Sequence, residues 1–163
     1  IKFVTMKKDS PNIGTGTITL KDDPRILPFG NFLRKFKINE LPQLFNVIKG
    51  DMSFIGPRPL TKETFSFYSE EGKKKIIKTK PGLSGIGSIF FRNEEDFIGN
   101  NKSSVEKYQI QIAPYKEKLE IWYIDNESLF LYIKLFFLTI WVIFFKNSQI
   151  YKKVLPIPFI DKL

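Results

Sequence analysis

A single glutamate, Glu40, lies between two arginines, Arg34 and Arg58, in a stretch that includes NELPQLFNVIKGDMSFIGPRP. Arginine's planar guanidinium group binds phosphate through two parallel hydrogen bonds, and carboxylate oxygens are common protein ligands of Mg²⁺. A Mg²⁺ ion bound in this way takes substrate phosphates as further ligands. These residue types therefore suit phosphoryl transfer, which depends mainly on positioning and on neutralisation of charge.

The same residues also permit a purely structural interpretation. An acid at a helix N-terminus is favoured by the helix dipole, and solvated arginines contribute little to stability. A covalent route would in addition need a nucleophile such as a carboxylate, yet the residue before Glu40 is an amide, Asn39. The spacing alone leaves both interpretations open.

The composition limits the other chemistries. The 163 residues include no Cys and no His, which excludes disulfides, thiolate metal sites and a histidine base. A formal net charge of +9 indicates an anionic partner such as a nucleic acid, a nucleotide, a phosphorylated substrate or a membrane. A nucleic-acid surface would interleave basic and aromatic residues, whereas the aromatic residues here concentrate in an apolar C-terminal run. We therefore expect no nucleic-acid partner.

The glutamate is predicted to lie at a helix N-terminus. Residues 31–36 carry apolar side chains at helical spacing, and a second helix is predicted from residue 39 or 40 to residue 48. Asn39 is a good N-cap for it, Pro42 fits its first turn, and Gly50 ends it.

The remaining pattern predicts a small α/β (α+β) domain over residues 1–163, mostly helical with a short β-hairpin. Residues 1–6 alternate like a strand, and the following glycines indicate a hairpin or an ordered loop. A Lys-rich helix is expected over 61–79 and a short apolar strand over 88–91. Residues 103–123 are predicted to be helical, with an interruption near Pro114.

The most apolar segment covers about residues 128–146. Its uninterrupted apolar core is shorter than the ~20 residues of a membrane-spanning helix. A helix lying in the membrane interface, or docked on another membrane segment, fits the flanking lysines and the aromatic residues. A buried core helix is the alternative.

The segment FLRKFKINELPQLFNVIKGDMSFIGPRPL closely resembles the signature of the bacterial sugar transferases, which are monotopic polyprenyl-phosphate phosphoglycosyl transferases. The resemblance extends through KFVTM and DPRILPFGNFLRK before it and KPGLSGIGSIFFRNEE after it. It implies transfer of a hexose 1-phosphate from a UDP-sugar to polyprenyl (undecaprenyl) phosphate, with release of the nucleoside monophosphate. Mg²⁺ is the implied cofactor. This reaction is the first membrane step of O-antigen, capsule or exopolysaccharide synthesis.

The resemblance also assigns site residues. Arg34 and Arg58 match arginines of the family's active site, and Glu40 matches an acid that binds Mg²⁺ or assists turnover. Asn39 occupies the place of the family's nucleophilic aspartate, and an amide cannot act in that way. Either another carboxylate takes the role, or the chain is a binding scaffold. The carboxylates considered are Glu40, Asp51, Glu94 and Glu95.

Two further residues, Arg92 and Asn93, are candidate contacts to the nucleotide or sugar, with an exposed turn as the alternative. The family also has an N-terminal re-entrant membrane helix, and we expect this chain to begin just after the place where that helix would stop. The implied location is the cytoplasmic face of the bacterial inner membrane. The positive charge would then attract the protein to the anionic leaflet, at on the order of 1 kcal/mol for each basic residue near it.

Overall fold

Helices dominate the computed structural model, which describes residues 1–14, 16, 18, 19, 23–92, 104–145 and 147–158. A π-helical turn lies at Tyr108–Ile112. Short 3-10 turns lie at Ser10–Asn12 and Ile38–Glu40. In chain order the helices are α1 (Pro28–Lys35), α2 (Gln43–Ile48), α3 (Lys62–Ser66), α4 (Glu70–Ile77), α5 (Ile86–Phe90), α6 (Ser104–Lys107), α7 (Ala113–Asp125), α8 (Leu129–Phe144) and α9 (Ile150–Val154). The prediction of a mostly helical α+β fold is confirmed.

The sheet in the described chain consists of two parallel strands, β1 (Ser53–Ile55) and β2 (Gly82–Ser84). Ser53 pairs with Gly82 and Ile55 with Ser84, and helices α3 and α4 form the crossover between the strands. Parallel strands cannot be joined by a tight turn, so this pair is not a hairpin. The strands instead place the residues that follow each of them at one edge of the sheet.

Among the described residues of the N-terminal segment no hairpin forms, and the chain there includes a 3-10 turn at Ser10–Asn12. Met6 makes only an isolated antiparallel bridge to Ile26. Arg25 is buried and donates hydrogen bonds to the carbonyl groups of Ser10, Ile13 and Ile18 at 2.8–2.9 Å. Because the guanidinium group takes up these acceptors, the loop does not need a strand partner.

The hydrophobic core is built around α7. Leu119 and Tyr123 on this helix are almost completely buried, together with Ile86 and Ile89 of α5 and Leu135 of α8. Helix α7 packs against α4 and α5, while α8 packs against α5 and β1. The core therefore meets the sheet through the contact between α8 and β1.

The apolar C-terminal segment is a helix, as predicted, and Ser128 caps it by accepting a hydrogen bond from Leu131 N. One face of α8 is buried against the core, and the other exposes large apolar side chains such as Phe130 and Phe137. In the described part of the chain, no helix combines the length and the apolarity needed to cross a bilayer. The buried face of α8 fits the predicted core helix, and its exposed apolar face is compatible with the predicted interfacial helix.

Two other predicted elements are wrong. Residues 88–91 belong mainly to α5, because the strand lies six residues earlier, at Gly82–Ser84, and the chain then turns into a helix. The Lys-rich segment forms two helices, since Ser69 starts α4 by accepting a hydrogen bond from Gly72 N. At the predicted interruption near Pro114 the chain stays helical. A π-helical turn precedes Pro114, and Pro114 itself lies in the first turn of α7, where a proline is tolerated.

Candidate active site

Glu40 and Arg58 form an ion pair across 18 residues of sequence. Arg58 Nη2 donates a hydrogen bond to Glu40 Oε1 at 2.7 Å, and Lys2 Nζ lies 4.0 Å from the same oxygen. The side chain of Glu40 is 12% exposed and that of Arg58 is 28% exposed. A charge-assisted hydrogen bond in such a partly enclosed place is stronger than a pair in open solvent.

The loop that carries Arg58 is fixed by the sheet. Gly56 N donates to Ser84 O and Gly82 N donates to Pro57 O, both at 2.9 Å. The two backbones approach so closely here that a Cβ atom on Gly82 would lie 2.5 Å from Gly56 O. Glycine at these positions therefore allows the contact that holds Arg58 in place.

Glu40 ends a 3-10 turn, and the prediction that Asn39 caps the following helix is wrong. Glu40 N donates to Lys37 O at 3.0 Å and Leu41 N donates to Ile38 O at 3.1 Å. The 3-10 turn ends at Glu40, and α2 begins only at Gln43, with Pro42 at its N-cap position. Glu40 consequently lies outside the first turn of α2, contrary to the prediction.

The N-terminal segment brings Lys2 to the same turn. Phe3 N donates to Asn39 O at 3.0 Å, which ties the start of the chain to the residue before Glu40. Burial lowers the pKa of Lys2 below its usual value, and the charges of Arg58 and Arg34 act in the same direction against the attraction of Glu40. Lys2 and the two arginines therefore lie close enough to interact.

Lys37 is the other lysine at the site. It has a left-handed backbone conformation with φ 58° at the start of the 3-10 turn, and its N–H donates to Arg34 O at 3.1 Å. Burial lowers the pKa of Lys37 to about 8; the charges of Arg58, Arg92 and Arg34 also lower it, whereas Glu40 opposes the change. The charges of four other residues thus converge on this side chain.

Together these residues form what we call the Glu40 cluster: Glu40, Lys2, Arg34, Lys37, Arg58 and Arg92. Burial alone would raise the pKa of Glu40, but Arg58, Lys37 and Lys2 together hold the pKa of its carboxyl below the usual value. One carboxylate thus faces five cations. Such an excess of positive charge attracts anions with several charges, of which a diphosphate is one.

Asn39 lies beside the cluster with a buried side chain that is only 8% exposed. Its Oδ1 atom has no hydrogen-bond partner within the described residues. A buried amide oxygen without a partner costs free energy, so a donor from a bound molecule would stabilise it. An amide can accept such a hydrogen bond but cannot replace a carboxylate as a nucleophile.

Glu40 is the cluster residue that could bind Mg²⁺. Among the described residues there is no group of three or more His, Cys, Asp and Glu side chains that could hold a metal ion. Mg²⁺ needs no such group when it is held by one or two carboxylates together with substrate phosphates and water. The carboxylate of Glu40 among several cations fits that second arrangement.

The structure groups some predicted site residues and separates others. Arg34, Arg58 and Glu40 come together, and Arg92 joins them with a half-buried side chain. Asp51 is exposed in the turn between α2 and β1, and in the described chain it takes no part in the ion pairs of the cluster. Three candidates lie outside the described residues: Asn93, Glu94 and Glu95.

Lys2 and Lys37 were not among the residues predicted for the site. Lys37 lies three residues before Glu40, a spacing that places two residues on one side of a 3-10 turn, and this signal could have identified it. Lys2 reaches the site only through the backbone contact between Phe3 and Asn39, and no local pattern predicts such a contact.

The geometry defines a class of site: a cationic site for a polyvalent anion, built on short helices and on the edge of a parallel strand pair. The chain belongs to the bacterial sugar transferase family, because residues 1–146 match the model of that family. The resemblance inferred from the motifs is thereby confirmed.

Several curated relatives agree with this assignment. The uncharacterized sugar transferase EpsL of Bacillus subtilis is 37% identical over 139 residues, covering 85% of this chain and 59% of that protein. The undecaprenyl-phosphate galactose phosphotransferase of Salmonella typhimurium is 45% identical over 78 residues, covering 48% of this chain and 16% of that protein. The undecaprenyl-phosphate glucose phosphotransferase of Komagataeibacter xylinus is 32% identical over 144 residues, covering 85% and 25%. The chain thus spans between about a sixth and three fifths of these relatives.

Proposed function

We propose that this chain carries out sugar-phosphate transfer: it moves a hexose 1-phosphate from a UDP-sugar to polyprenyl phosphate, such as undecaprenyl phosphate, and releases UMP. The observation that carries the proposal is the Glu40 cluster, with the 2.7 Å Arg58–Glu40 pair at its centre. Membership in the sugar transferase family and the names of two relatives support the same reaction class. The product would begin an O-antigen, capsule or exopolysaccharide chain.

Each part of the cluster has a task in this reaction. The three arginines, which stay charged at every physiological pH, would bind and neutralise the diphosphate of the donor and the phosphate of the acceptor. Glu40 would bind Mg²⁺, which when present neutralises charge on the diphosphate. Arg58 holds the Glu40 carboxylate in place and keeps it ionised. Both the cofactor and these roles are part of the proposal.

The acceptor's lipid tail requires a site near a membrane surface. Helix α1 exposes Phe29 and Phe32, and Phe36 directly after it is also exposed; successive ring centroids lie 6.1 and 5.1 Å apart. Phe45 and Ile48 of α2 are also exposed, at 63% and 81%. Exposed aromatic and aliphatic side chains beside lysines and arginines are typical of helices that lie in a membrane interface. We propose the cytoplasmic leaflet of the bacterial inner membrane as their place.

The identity of the hexose stays open within the proposal. The names of two relatives specify galactose in one case and glucose in the other. Arg92 remains a candidate contact to the nucleotide or sugar, since it belongs to the cluster and its Nε atom has no hydrogen-bond partner among the described residues. The same role for Asn93 stays a prediction.

A second candidate function rests on one observation. Asn39 stands where the family that this chain resembles has a nucleophilic aspartate, and its buried Oδ1 atom has no hydrogen-bond partner among the described residues. A chain that can no longer form a covalent phosphosugar intermediate could still bind the same anions as a scaffold. We favour the enzyme, because the other cluster residues retain a phosphate-binding arrangement.

A UMP-release assay separates the two functions. The intact protein is incubated with Mg²⁺, undecaprenyl phosphate and each member of a panel of UDP-sugars. The enzyme predicts UMP release with at least one sugar and its loss in Glu40→Gln. A scaffold predicts no release by the native protein, and a gain of activity in Asn39→Asp would identify the amide as the cause.

A further inference from the structure

A second carboxyl group, that of Glu120 on α7, is buried where α7 packs against α5. It accepts a hydrogen bond from the Gly87 N–H, while its Oε2 atom has no hydrogen-bond partner among the described residues. A buried carboxylate keeps its charge only at a large cost in free energy unless several donors surround it. The single backbone donor and the oxygen without a partner therefore favour the neutral acid.

Glu120 adjoins the segment that carries Arg58. A Cβ atom on Gly85 would collide with Gly56 O and would lie 3.7 Å from Glu120 Oε2. The Gly56 backbone and the Glu120 carboxyl therefore meet at one glycine, which allows this close approach. Arg58 follows Gly56 by two residues, and Gly56 N donates to Ser84 O at 2.9 Å. A change in the state of the carboxyl therefore acts next to the backbone that orients Arg58.

The electrostatics connect the same two residues. Burial raises the pKa of Glu120 to about 8, while Lys116, the Gly87 N–H and Arg58 lower it. Lys116 lies one turn earlier on α7, and Tyr123 is the titratable group one turn later on that helix. Arg58 is the cation that reaches Glu120 from the loop after β1. Because such coupling is reciprocal, the charge state of Glu120 also acts on Arg58.

We propose that Glu120 is a positioning residue for the diphosphate site: as a neutral acid it supports residues 56–58 and leaves the charge of Arg58 to Glu40 and the substrate. This inference rests on the proposed function, since it names the group that stands behind one of the arginines that bind the diphosphate. An ionised Glu120 would be a second carboxylate that competes with Glu40 for the same guanidinium group.

The first test compares UDP binding by the native protein and by Glu120→Gln between about pH 6.5 and about pH 9, with Mg²⁺ present. Glutamine stays neutral throughout and keeps an oxygen for the Gly87 N–H. The ratio of the two dissociation constants cancels the titration of UDP and of Lys37, which occurs in both proteins. We expect equal binding within about threefold at the lower pH, and binding at least about threefold tighter by Glu120→Gln at the higher pH.

Glu117→Gln is the matched control, since Glu117 is a buried glutamate on the same helix whose carboxylate accepts hydrogen bonds from Ser69 instead. Its ratio to the native protein should not change with pH. The pH effect of Glu120→Gln should also vanish when Arg58→Gln is present in both proteins, because Arg58 transmits it. A role in stability alone would survive the loss of Arg58, and circular dichroism at each pH measures the folded fraction that corrects for it.

The second test uses the native protein and no variant. Carboxyl ¹³C NMR follows the glutamate that titrates at the raised pKa, with and without saturating UDP. If UDP binding favours the neutral acid, UDP must raise this pKa, by about 0.5 units for a threefold effect on affinity. A pKa that UDP leaves unchanged overturns the proposal.

The other contradicting results are equally specific. A ratio for Glu120→Gln that stays constant over the pH range overturns the proposal, and so does the same pH effect in Glu117→Gln or in the Arg58→Gln background. The proposed function survives each of these results if the native protein releases UMP with undecaprenyl phosphate. A native protein that neither binds UDP nor releases UMP would end the proposed function together with this inference.

Discussion

At the scale of residues, the proposed site depends on one glutamate held by one arginine. Arg58 is bound to Glu40 and still presents nitrogen atoms that can reach a phosphate, because its guanidinium group carries five N–H donors in a rigid fork. Lysine could provide the charge but not both contacts in fixed directions.

The first prediction follows from that fork. Arg58→Lys is expected to lower the rate of UMP release by about ten- to a hundredfold, because a hydrogen bond to a charged group is worth about 1.5–3 kcal/mol. Lys73→Arg is a suitable control, because it changes a cation whose partner Glu70 lies on the surface of α4. Equal losses in both variants, or no loss in Arg58→Lys, would contradict the role of Arg58.

The sequence predicted part of this site and missed the rest for a physical reason. Arg34, Glu40 and Arg58 were recognisable because their motifs are contiguous and their chemistry is specific. Lys2 was not, because its position depends on the hydrogen bond from Phe3 N to Asn39 O. The helix cap at Asn39 was predicted from residue preference, but Asn39 lies inside a separate 3-10 turn and α2 begins only at Gln43.

At the scale of elements, two buried glutamates on α7 hold the neighbouring elements to the core. Glu117 accepts hydrogen bonds from Ser69 N and Oγ at the start of α4. Glu120 lies under the turn that begins α5, where a Cβ atom on Gly87 would be 2.6 Å from its Oε1. No sequence pattern indicated these contacts, since they join residues that are far apart in the chain.

The second prediction concerns Gly72 in α4. A glycine in a helix normally gains about 1 kcal/mol of stability when replaced by alanine. Here a Cβ atom would lie 2.6 Å from Glu117 Cδ, so Gly72→Ala should instead displace that carboxylate from Ser69. We expect the free energy of unfolding to fall by about 2 kcal/mol, measured by chemical denaturation.

Lys74→Ala, at an exposed position of the same helix, is the control for this change. It should alter the free energy of unfolding by less than about 0.5 kcal/mol. A Gly72→Ala variant that is more stable than the native protein would show that the contact with Glu117 is not tight.

The third prediction uses the pH dependence of Glu120. Burial raises the pKa of this carboxyl from 4.5 to about 8, against the opposing effects of Lys116, the Gly87 N–H and Arg58. The folded state therefore keeps a proton that the unfolded state has lost, and the free energy of unfolding decreases as the pH rises through this window. Glu120→Gln removes this dependence and keeps an oxygen for the Gly87 N–H.

The comparison is made as the variant minus the native protein, which cancels the other titrating groups. This difference in the free energy of unfolding should grow in favour of Glu120→Gln between about pH 5 and about pH 8, by at most about 1.4 kcal/mol per pH unit. A difference that stays constant over the window would mean that Glu120 is ionised in the folded protein.

At the scale of the whole molecule, the proposed reaction would need the site to lie between water and a membrane. The apolar faces of α1 and α2 are exposed next to the elements that carry Arg34 and Glu40. The sequence identified the apolar segment at 128–146 but not this second apolar surface. Its residues are dispersed among polar ones and become a continuous face only in the helices.

The fourth prediction concerns this surface. Replacement of Phe32, Phe36 and Phe45 by serine should weaken binding to vesicles that contain anionic lipids by at least about tenfold, because apolar burial is lost. The three side chains are exposed by 51%, 53% and 63%, so the fold should remain intact. Ile77→Ser, at an exposed position of α4, serves as the control. Vesicle binding that is equal in all three proteins would place the membrane surface elsewhere.

The central claim is that the Glu40 cluster transfers a phosphosugar and not the sugar alone. The most direct measurement follows the label from a UDP-sugar that carries ³²P at the β-phosphate, in the presence of Mg²⁺ and undecaprenyl phosphate. We predict that the label enters the lipid fraction, that unlabelled UMP is released, and that both processes are lost in Glu40→Gln. Label that leaves as UDP, or that stays in the intact donor with every sugar, would contradict the account.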